Sequence, residues 1–165
     1  MSYQEKRTIT SVFVGAVVLA AYCIYAFGRF NSGMAAADDL RFWASTMLIF
    51  IGIGIGAEII VQIIFHIIFS IAIAIKENIR DEQCDEKEIE KKIERETVED
   101  ERDKLVELKS LRVGFTIAGI GFVGALVSLV LNNSAMVMLN ILYLSFCVGS
   151  ICEGIAQFYY YRMGL

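Results

Sequence analysis

Residues 51–69 read IGIGIGAEIIVQIIFHIIF, a stretch that is almost entirely hydrocarbon. Three polar side chains interrupt it, Glu58, Gln62 and His66, each four residues from the next. A helix that crosses a bilayer needs about 20 predominantly apolar residues, and side chains four positions apart share one helix face. The stretch therefore predicts a membrane-spanning helix that carries a polar stripe.

Much of the rest of the chain is also apolar. Of its 165 residues, 56% are hydrophobic and none is proline, and the mean hydropathy is +0.58. The apolar residues fall into four blocks, 8–28, 43–75, 113–131 and 135–161. A membrane β-barrel would instead show alternating strands of about 10 residues separated by turns. The sequence therefore predicts an all-α, polytopic membrane protein with four transmembrane helices.

The basic residues predict its orientation. Ten of the fifteen Lys and Arg residues lie in segment 76–112, mixed with most of the acids. Two more precede the first span and one follows the last, whereas two lie in the 29–41 loop. Cytoplasmic loops of membrane proteins carry an excess of Lys and Arg. We therefore expect a multi-pass protein of the cell inner (plasma) membrane with both termini and segment 76–112 in the cytoplasm.

The expected organisation is a pair of helical hairpins separated by a charged insert. The spans of the first hairpin are predicted at about 8–28 and 43–66, and its second helix is too long for the bilayer and should extend into the cytoplasm. Trp43 and Phe42, just after Arg41, suit an interfacial anchor at the outer end of the second span. The three predicted regions are residues 1–75, the charged cytoplasmic helical region 76–110, and residues 111–165, with spans at about 112–131 and 136–160.

The two predicted hairpins share a motif. GIGAEIIVQIIFH (54–66) and GSICEGIAQFYYY (149–161) both read Gly-x-x-x-Glu-x-x-x-Gln, so Glu153 and Gln157 correspond to Glu58 and Gln62. Each hairpin crosses the membrane twice and enters from the same side. The motif therefore predicts a parallel internal repeat, with its axis along the membrane normal.

These polar residues are the candidate site. A charged side chain is costly in lipid, so both stripes should turn inward, where carboxylate and amide oxygens suit a hard cation or two carboxyls that share a proton. The sequence does not identify the ion or metal. His66 lies about 12 Å along the helix from Glu58, which suits a relay group near the interface. In the alternative, Glu–Gln hydrogen bonds only hold the helices together.

Glycine and alanine pairs with a spacing of four predict close helix approach, within the bundle or in a homodimer. They are Gly52-x-x-x-Gly56, Gly114-x-x-x-Ala118 and Gly121-x-x-x-Ala125.

Enzyme signatures are missing from the sequence. It contains no H-E-x-x-H, no G-x-S-x-G and no phosphate-binding loop, and a single histidine excludes haem or di-iron sites built on several imidazoles. Four cysteines without a C-x-x-C pair support neither a zinc site nor a disulfide framework. We expect neither enzymatic activity nor a cofactor. The mixed charge of segment 76–112 also argues against nucleic acid as a partner.

Two functional hypotheses remain open. The first is a transport-related protein whose intramembrane Glu and Gln side chains bind a cation, a proton or a small solute, with a homodimer as a candidate assembly. The second is a non-catalytic accessory or regulatory protein that docks a cytoplasmic or membrane protein partner through its charged helical region.

Three runs also resemble uncharacterised four-span inner-membrane proteins of bacteria. They are DDLRFWASTMLIFIGIGIGAE (38–58), AGIGFVGALVSLVLNNSAMVMLNILYLSF (118–146) and EGIAQFYYYRMG (153–164). The resemblance implies the localisation and the number of spans, and it implies no activity, ligand or site residue.

Overall fold

A computed structural model describes residues 3–33, 36, 39–80, 86–98 and 100–163, without the side chains of residues 77–80, 86–88, 92 and 96. Every regular element in these ranges is an α-helix. The five helices are α1 (Tyr3–Asn31), α2 (Leu40–Arg80), α3 (Glu86–Thr97), α4 (Glu101–Val130) and α5 (Ala135–Met163).

Four of these helices, α1, α2, α4 and α5, are long and apolar enough to cross a membrane. The prediction of an all-helical chain with four such helices is confirmed. No residue in the most apolar window of α2 is buried inside the protein, and isoleucines such as Ile60 and Ile68 are 58% and 60% exposed. An apolar surface this continuous is typical of a lipid-facing helix.

The helices pack in the spatial order α4, α5, α1, α2. The most extensive contact joins α4 to α5, and α1 packs against both α5 and α2. Helices α2 and α5 contact each other much less, and α3 lies against α2 and α1. Among the described residues, α5 is the only substantial neighbour of α4. The bundle is therefore open between α2 and α4.

Helices α4 and α5 approach through small residues. A Cβ on Gly149 would lie 2.8 Å from the backbone oxygen of Gly114, and a Cβ on Gly121 would overlap the side chain of Ser145. Ala118 and Ala125 are buried along the same line. Two of the three predicted small-residue pairs thus lie at a helix contact. The third, Gly52 and Gly56, has nothing within 4 Å of either added Cβ.

The aromatic core lies at the end of the bundle where α1 is followed by α2. Tyr22 and Trp43 are fully buried there, and the Trp43 ring packs against Phe27 and Phe30 at centroid distances of 6.2 and 6.0 Å. The indole Nε1 of Trp43 donates to the oxygen of Ala36 at 3.2 Å. The prediction that Trp43 is an interfacial anchor is therefore wrong, because the protein itself covers the ring and accepts its N–H.

The same core contains a buried polar pair. The hydroxyl of Tyr22 donates to Oδ1 of Asn140 at 2.8 Å, and Nδ2 of Asn140 donates to the oxygen of Met136 at 2.9 Å. The first bond joins α1 to α5, the second lies within α5, and together they pair both polar atoms of the buried Asn140 amide.

The start of α4 is set by a reciprocal capping box at Asp100. Its side chain accepts from the N–H of Asp103 at 2.7 Å, and the Asp103 side chain accepts from the N–H of Asp100 at 3.2 Å. Thr97 ends α3, and its hydroxyl donates to the oxygen of Ile93.

Candidate functional site

A polar cavity of about 150 Å³ lies between the helices at the end of the bundle that carries α3. We call this the α3 end, and it also contains the first turns of α1 and the last turns of α5. The lining comes from four helices: Gln4, Arg7, Thr8 and Ser11 of α1, Gln62 of α2, Asp103 and Glu107 of α4, and Glu153, Gln157 and Tyr161 of α5.

Helix α1 turns one polar face toward this cavity. Gln4, Arg7, Thr8 and Ser11 follow each other at spacings of three or four, which places them on one side of a helix. Gln4 and Thr8 are buried. The hydroxyl of Thr8 donates to the backbone oxygen of Gln4 at 2.9 Å, so its own donor is satisfied within the helix.

A chain of hydrogen bonds links α1 to the polar stripe of α2. Nη2 of Arg7 donates to Oε1 of Gln62 at 2.9 Å, and Nε2 of Gln62 donates to Oε1 of Glu58 at 2.7 Å. The two bonds fix the orientation of the Gln62 amide, because its oxygen faces a donor and its nitrogen faces a carboxylate. A positive charge on α1 is thus connected to a negative charge on α2 through one amide.

The counterpart on α5 has a different environment. Glu153 is half-buried and packs against α4, where a Cβ on Gly114 would lie 2.6 Å from its Oε2 atom. The absence of a side chain at Gly114 therefore makes room for the carboxyl group. Gln157 lies one turn further along α5 and lines the same cavity.

Gln4 brings an unsatisfied group to the cavity. The residue is only 7% exposed, and among the residues that the structure describes its Nε2 atom has no hydrogen-bond partner. Leaving a buried amide donor unpaired costs about 1–3 kcal/mol, so buried polar groups of this kind are normally paired with water or with a ligand. A water or a small ligand in the cavity could pair with this amide.

The structure brings together three of the five predicted site residues. Gln62, Glu153 and Gln157 line the polar cavity, and Glu58 is joined to it through its bond from Gln62. His66 does not line it. It is exposed, and its ring stands edge-on to Tyr3 with a centroid distance of 6.2 Å, in a cluster with Phe65 and Phe69.

Glu58 lines a second and larger space. A groove of about 690 Å³ runs between α1, α2 and α5, and its lining is mainly aliphatic and aromatic. A third cavity of about 100 Å³ shares Ser11, Gly15 and Ser150 with the groove, and shares Glu153 with the polar cavity. Ser11 lines all three spaces. The polar cavity and the apolar groove are therefore neighbours along α1.

The charge of the polar cavity is unbalanced. Among the described residues that line it, the carboxyl groups of Asp103, Glu107 and Glu153 stand against the guanidinium of Arg7, and Arg102 reaches its wall by donating from Nη2 to the backbone oxygen of Tyr161 at 3.4 Å. Within the described ranges, no group of three or more His, Cys, Asp or Glu side chains is arranged to hold a metal ion. Cys23, Cys147 and Cys152 are free thiols, and Cys84 lies outside the described residues. The arrangement favours a positively charged species that is held weakly.

The residues that the sequence did not single out as site members come mostly from the ends of α1 and α4. Arg7, Gln4 and Thr8 carried a detectable signal, since their spacing is that of one helix face. Asp103 and Glu107 are also four apart, but they sit in a charged segment where such spacing is typical of a solvated helix. Only the packing of α4 on α5 shows that they face the cavity.

Comparison of the chain with protein-family models, with curated proteins and with solved structures gives no match. The four-span resemblance described above stays an expectation.

Proposed function

We propose that this is a small integral membrane protein, related in role to transporters, that binds a monovalent cation or a proton in the polar cavity at the α3 end. The observation that supports this most directly is the meeting of Gln62, Glu153 and Gln157, from two membrane-type helices, around a buried and unpartnered amide of Gln4. Ionisable groups inside membrane segments are functional candidates by default, because lipid tolerates them poorly.

The size of the cavity limits the ligand. At about 150 Å³ it holds only a few waters or one partly hydrated ion, since a water takes up roughly 30 Å³ of the liquid. Larger solutes do not fit within it. The unpartnered Nε2 of Gln4 can bind one of those waters, and rotation of the amide would instead present its oxygen to a cation.

The charged groups of the polar cavity indicate the charge of the ligand. Three carboxyl groups against one guanidinium repel an anion and attract a cation. The lack of a three-ligand metal cluster among the described residues argues against tight binding of a divalent ion, which takes six or more oxygen ligands when it is Ca²⁺. A proton shared between Glu153 and its amide neighbour, or a monovalent cation, needs fewer ligands.

The orientation is part of this proposal. Because the α3 end carries most of the Lys and Arg residues, the positive-inside rule places it in the cytoplasm of a cell bounded by its inner (plasma) membrane. The cavity would then exchange its ligand with the cytoplasm.

The proposal is tested with purified protein in liposomes that enclose a pH-sensitive dye. One arm sets the membrane potential with a potassium gradient and valinomycin, and the other arms use a pH jump without valinomycin in sodium salts or in choline salts. We expect proton movement above that of protein-free liposomes, and we expect Glu153→Gln to reduce it about tenfold or more, because the neutral amide cannot give up a proton.

Glu90→Gln is the matched control, since Glu90 is exposed on α3 and does not line the cavity. It removes one negative charge from the same end of the molecule and should leave the rate unchanged. Circular dichroism and size-exclusion profiles confirm that both variants fold. Equal rates for wild type and Glu153→Gln would contradict the proposal, as would wild-type protein that neither moves protons nor responds to either cation.

A second function, docking of a partner protein, is favoured by one feature of α4. Leu105 and Leu108 lie in the charged part of this helix and are 58% and 65% exposed, among Lys104, Lys109 and Arg112. Apolar side chains that stay uncovered among charges are typical of a protein interface. The half-buried Ile89 and Ile93 of α3, by contrast, belong to a helix that packs on α2 and α1.

This second function predicts that a native partner is lost when the double variant Leu105→Ser/Leu108→Ser is purified from its own membrane. The matched control is Leu126→Ser, which changes an exposed leucine in the apolar half of the same helix. Retention of every co-purifying protein by the double variant would remove the docking hypothesis.

A further inference from the structure

The apolar groove beside the polar cavity identifies a class of ligand. It is about 690 Å³ in volume, within the 300–1,000 Å³ typical of small-molecule sites. Its walls include Val18, Phe50 and Phe146, from α1, α2 and α5 respectively. A body of hydrocarbon or aryl character fits such a lining, and a strongly hydrated one does not.

Glu58 makes the groove acidic at one point of its lining. It is the one charged side chain among the described residues that line the groove, and one of its oxygens is already held by Gln62. A carboxylate is costly beside hydrocarbon, and binding of lipid acyl chains alone does not require one. An apolar ligand that carries a positive charge would offset that cost.

The groove leads toward the other carboxyls. The cavity of about 100 Å³ that adjoins both spaces is lined by Ser11 and Glu153, and its walls near the groove include Gly15, where a Cβ would be 3.7 Å from Ile151. Glu58 lines the groove and Glu153 lines the adjoining cavity, so an ammonium group at their junction would have a carboxyl group in each of the two spaces. A phospholipid head group is too large for a polar cavity of about 150 Å³, and an anionic head is repelled.

We propose that the groove binds a lipophilic amine, with its apolar body between α1, α2 and α5 and its ammonium group between Glu58 and the polar cavity. This inference rests on the proposed function, because it names the cation that enters the cavity. The carboxylate of Glu58 contacts the charge, and the glycines at positions 15 and 54 leave the space for the body.

Photoreactive dodecylamine is the probe, with the protein held in lipid nanodiscs, and the matching alcohol and carboxylic acid test the charge. We expect the amine to label residues that line the groove about tenfold more strongly than the alcohol at equal concentration, and the acid to label them least. Glu58→Gln should bring the amine down to the level of the alcohol, whereas Glu90→Gln should not.

A second variant removes the space instead of the charge. Gly54 lines the groove, and an added Cβ there would be 3.7 Å from Val18, so Gly54→Leu should abolish labelling by the amine and by the alcohol. Gly56→Leu is its matched control, because Gly56 lies two residues away on the same helix, outside the groove lining and with nothing within 4 Å of the added Cβ.

The outcomes separate this inference from the proposed function. Equal labelling by amine and alcohol, or labelling that Glu58→Gln or Gly54→Leu does not change, overturns the lipophilic amine and leaves a surface contacted by acyl chains. If proton movement still depends on Glu153 in that case, the cation site stands without this ligand. If Glu153→Gln has no effect either, both proposals fail together.

Discussion

The two helix pairs that follow each other in the chain, α1 with α2 and α4 with α5, pack in opposite ways. Helices α4 and α5 touch through glycine, so that Gly149 meets the backbone of Gly114. In the first pair, a Cβ on Gly54 would stand at an ordinary 3.7 Å from Val18, and an apolar groove opens beside it. One pair is a close-packed scaffold, and the other leaves space for a ligand.

The predicted repeat makes this contrast informative. Gly54 and Gly149 hold equivalent positions in the repeated motif, as do Glu58 and Glu153. Yet Glu58 is bonded by Gln62 of its own helix, while Glu153 packs against the neighbouring α4. The same local motif therefore acquires two environments, because the facing helix has glycine at the contact in one pair and valine in the other.

The largest effect should come from filling the closest contact. Gly149→Val places its branched side chain against the backbone of Gly114, which cannot move aside as a flexible side chain could. We expect the free energy of unfolding to fall by about 1–3 kcal/mol or more, measured by denaturant titration of the purified protein in detergent. Gly52→Val is the control, with nothing within 4 Å of the added Cβ. An equal loss in both variants would contradict the contrast between the pairs.

The buried hydrogen bond between α1 and α5 should contribute less. Tyr22→Phe removes the donor to Asn140 and leaves a buried amide oxygen unpaired. The expected cost is about 1 kcal/mol in the same unfolding titration, given the modest values of such bonds in membrane helices. Tyr159→Phe, at an exposed tyrosine of α5, should cost nothing measurable. No difference between the two variants would mean that the Tyr22 hydroxyl does not stabilise the fold.

The link between α1 and α2 should be weaker still. Arg7 and Gln62 are joined by one hydrogen bond of 2.9 Å, and a double-mutant cycle with Arg7→Met and Gln62→Leu isolates it. The expected coupling is about 0.6 kcal/mol. A coupling near zero would show that the two side chains do not depend on each other, and that the polar cavity tolerates the loss of this link.

The last effect has the opposite sign and is expected at the glycines that face away from the bundle. Gly52→Ala and Gly56→Ala meet no neighbouring atom within 4 Å, so helix propensity alone should act and stabilise the protein by up to about 1 kcal/mol. Light scattering of both variants in detergent reports the oligomeric state. A shift to smaller particles would show that this face of α2 contacts a second copy of the chain.

Part of the site was predictable from residue type and spacing. Glutamate in an apolar helix must turn away from lipid, which is why Gln62, Glu153 and Gln157 were expected together. His66 shows the limit of that argument, since it continues the stripe by spacing yet lies exposed beside Tyr3. An imidazole ring packed on an aromatic cluster is less costly beside lipid than a carboxylate, so the stripe does not have to stay inward along its whole length.

Arg7 and Trp43 show what spacing leaves undecided. Arg7 appeared as a basic residue before a span, and the structure gives it a bond to Gln62 across 55 positions of sequence. Trp43 appeared as an interface residue and is fully buried. Residue type and spacing do not decide whether either side chain faces water, the membrane interface or another helix. The helix that packs opposite decides it.

The sequence by itself determined that four helices are long and apolar enough to cross a membrane, because hydrophobic run length is a local property of the chain. The tertiary structure alone decided that, among the described residues, α4 packs mainly on α5, that α2 stands apart from it, and that a groove and a polar cavity form next to α1. Helix pairing in an apolar medium is set by shape and by a few polar contacts, since lipid provides no hydrophobic driving force that would favour one helix face over another.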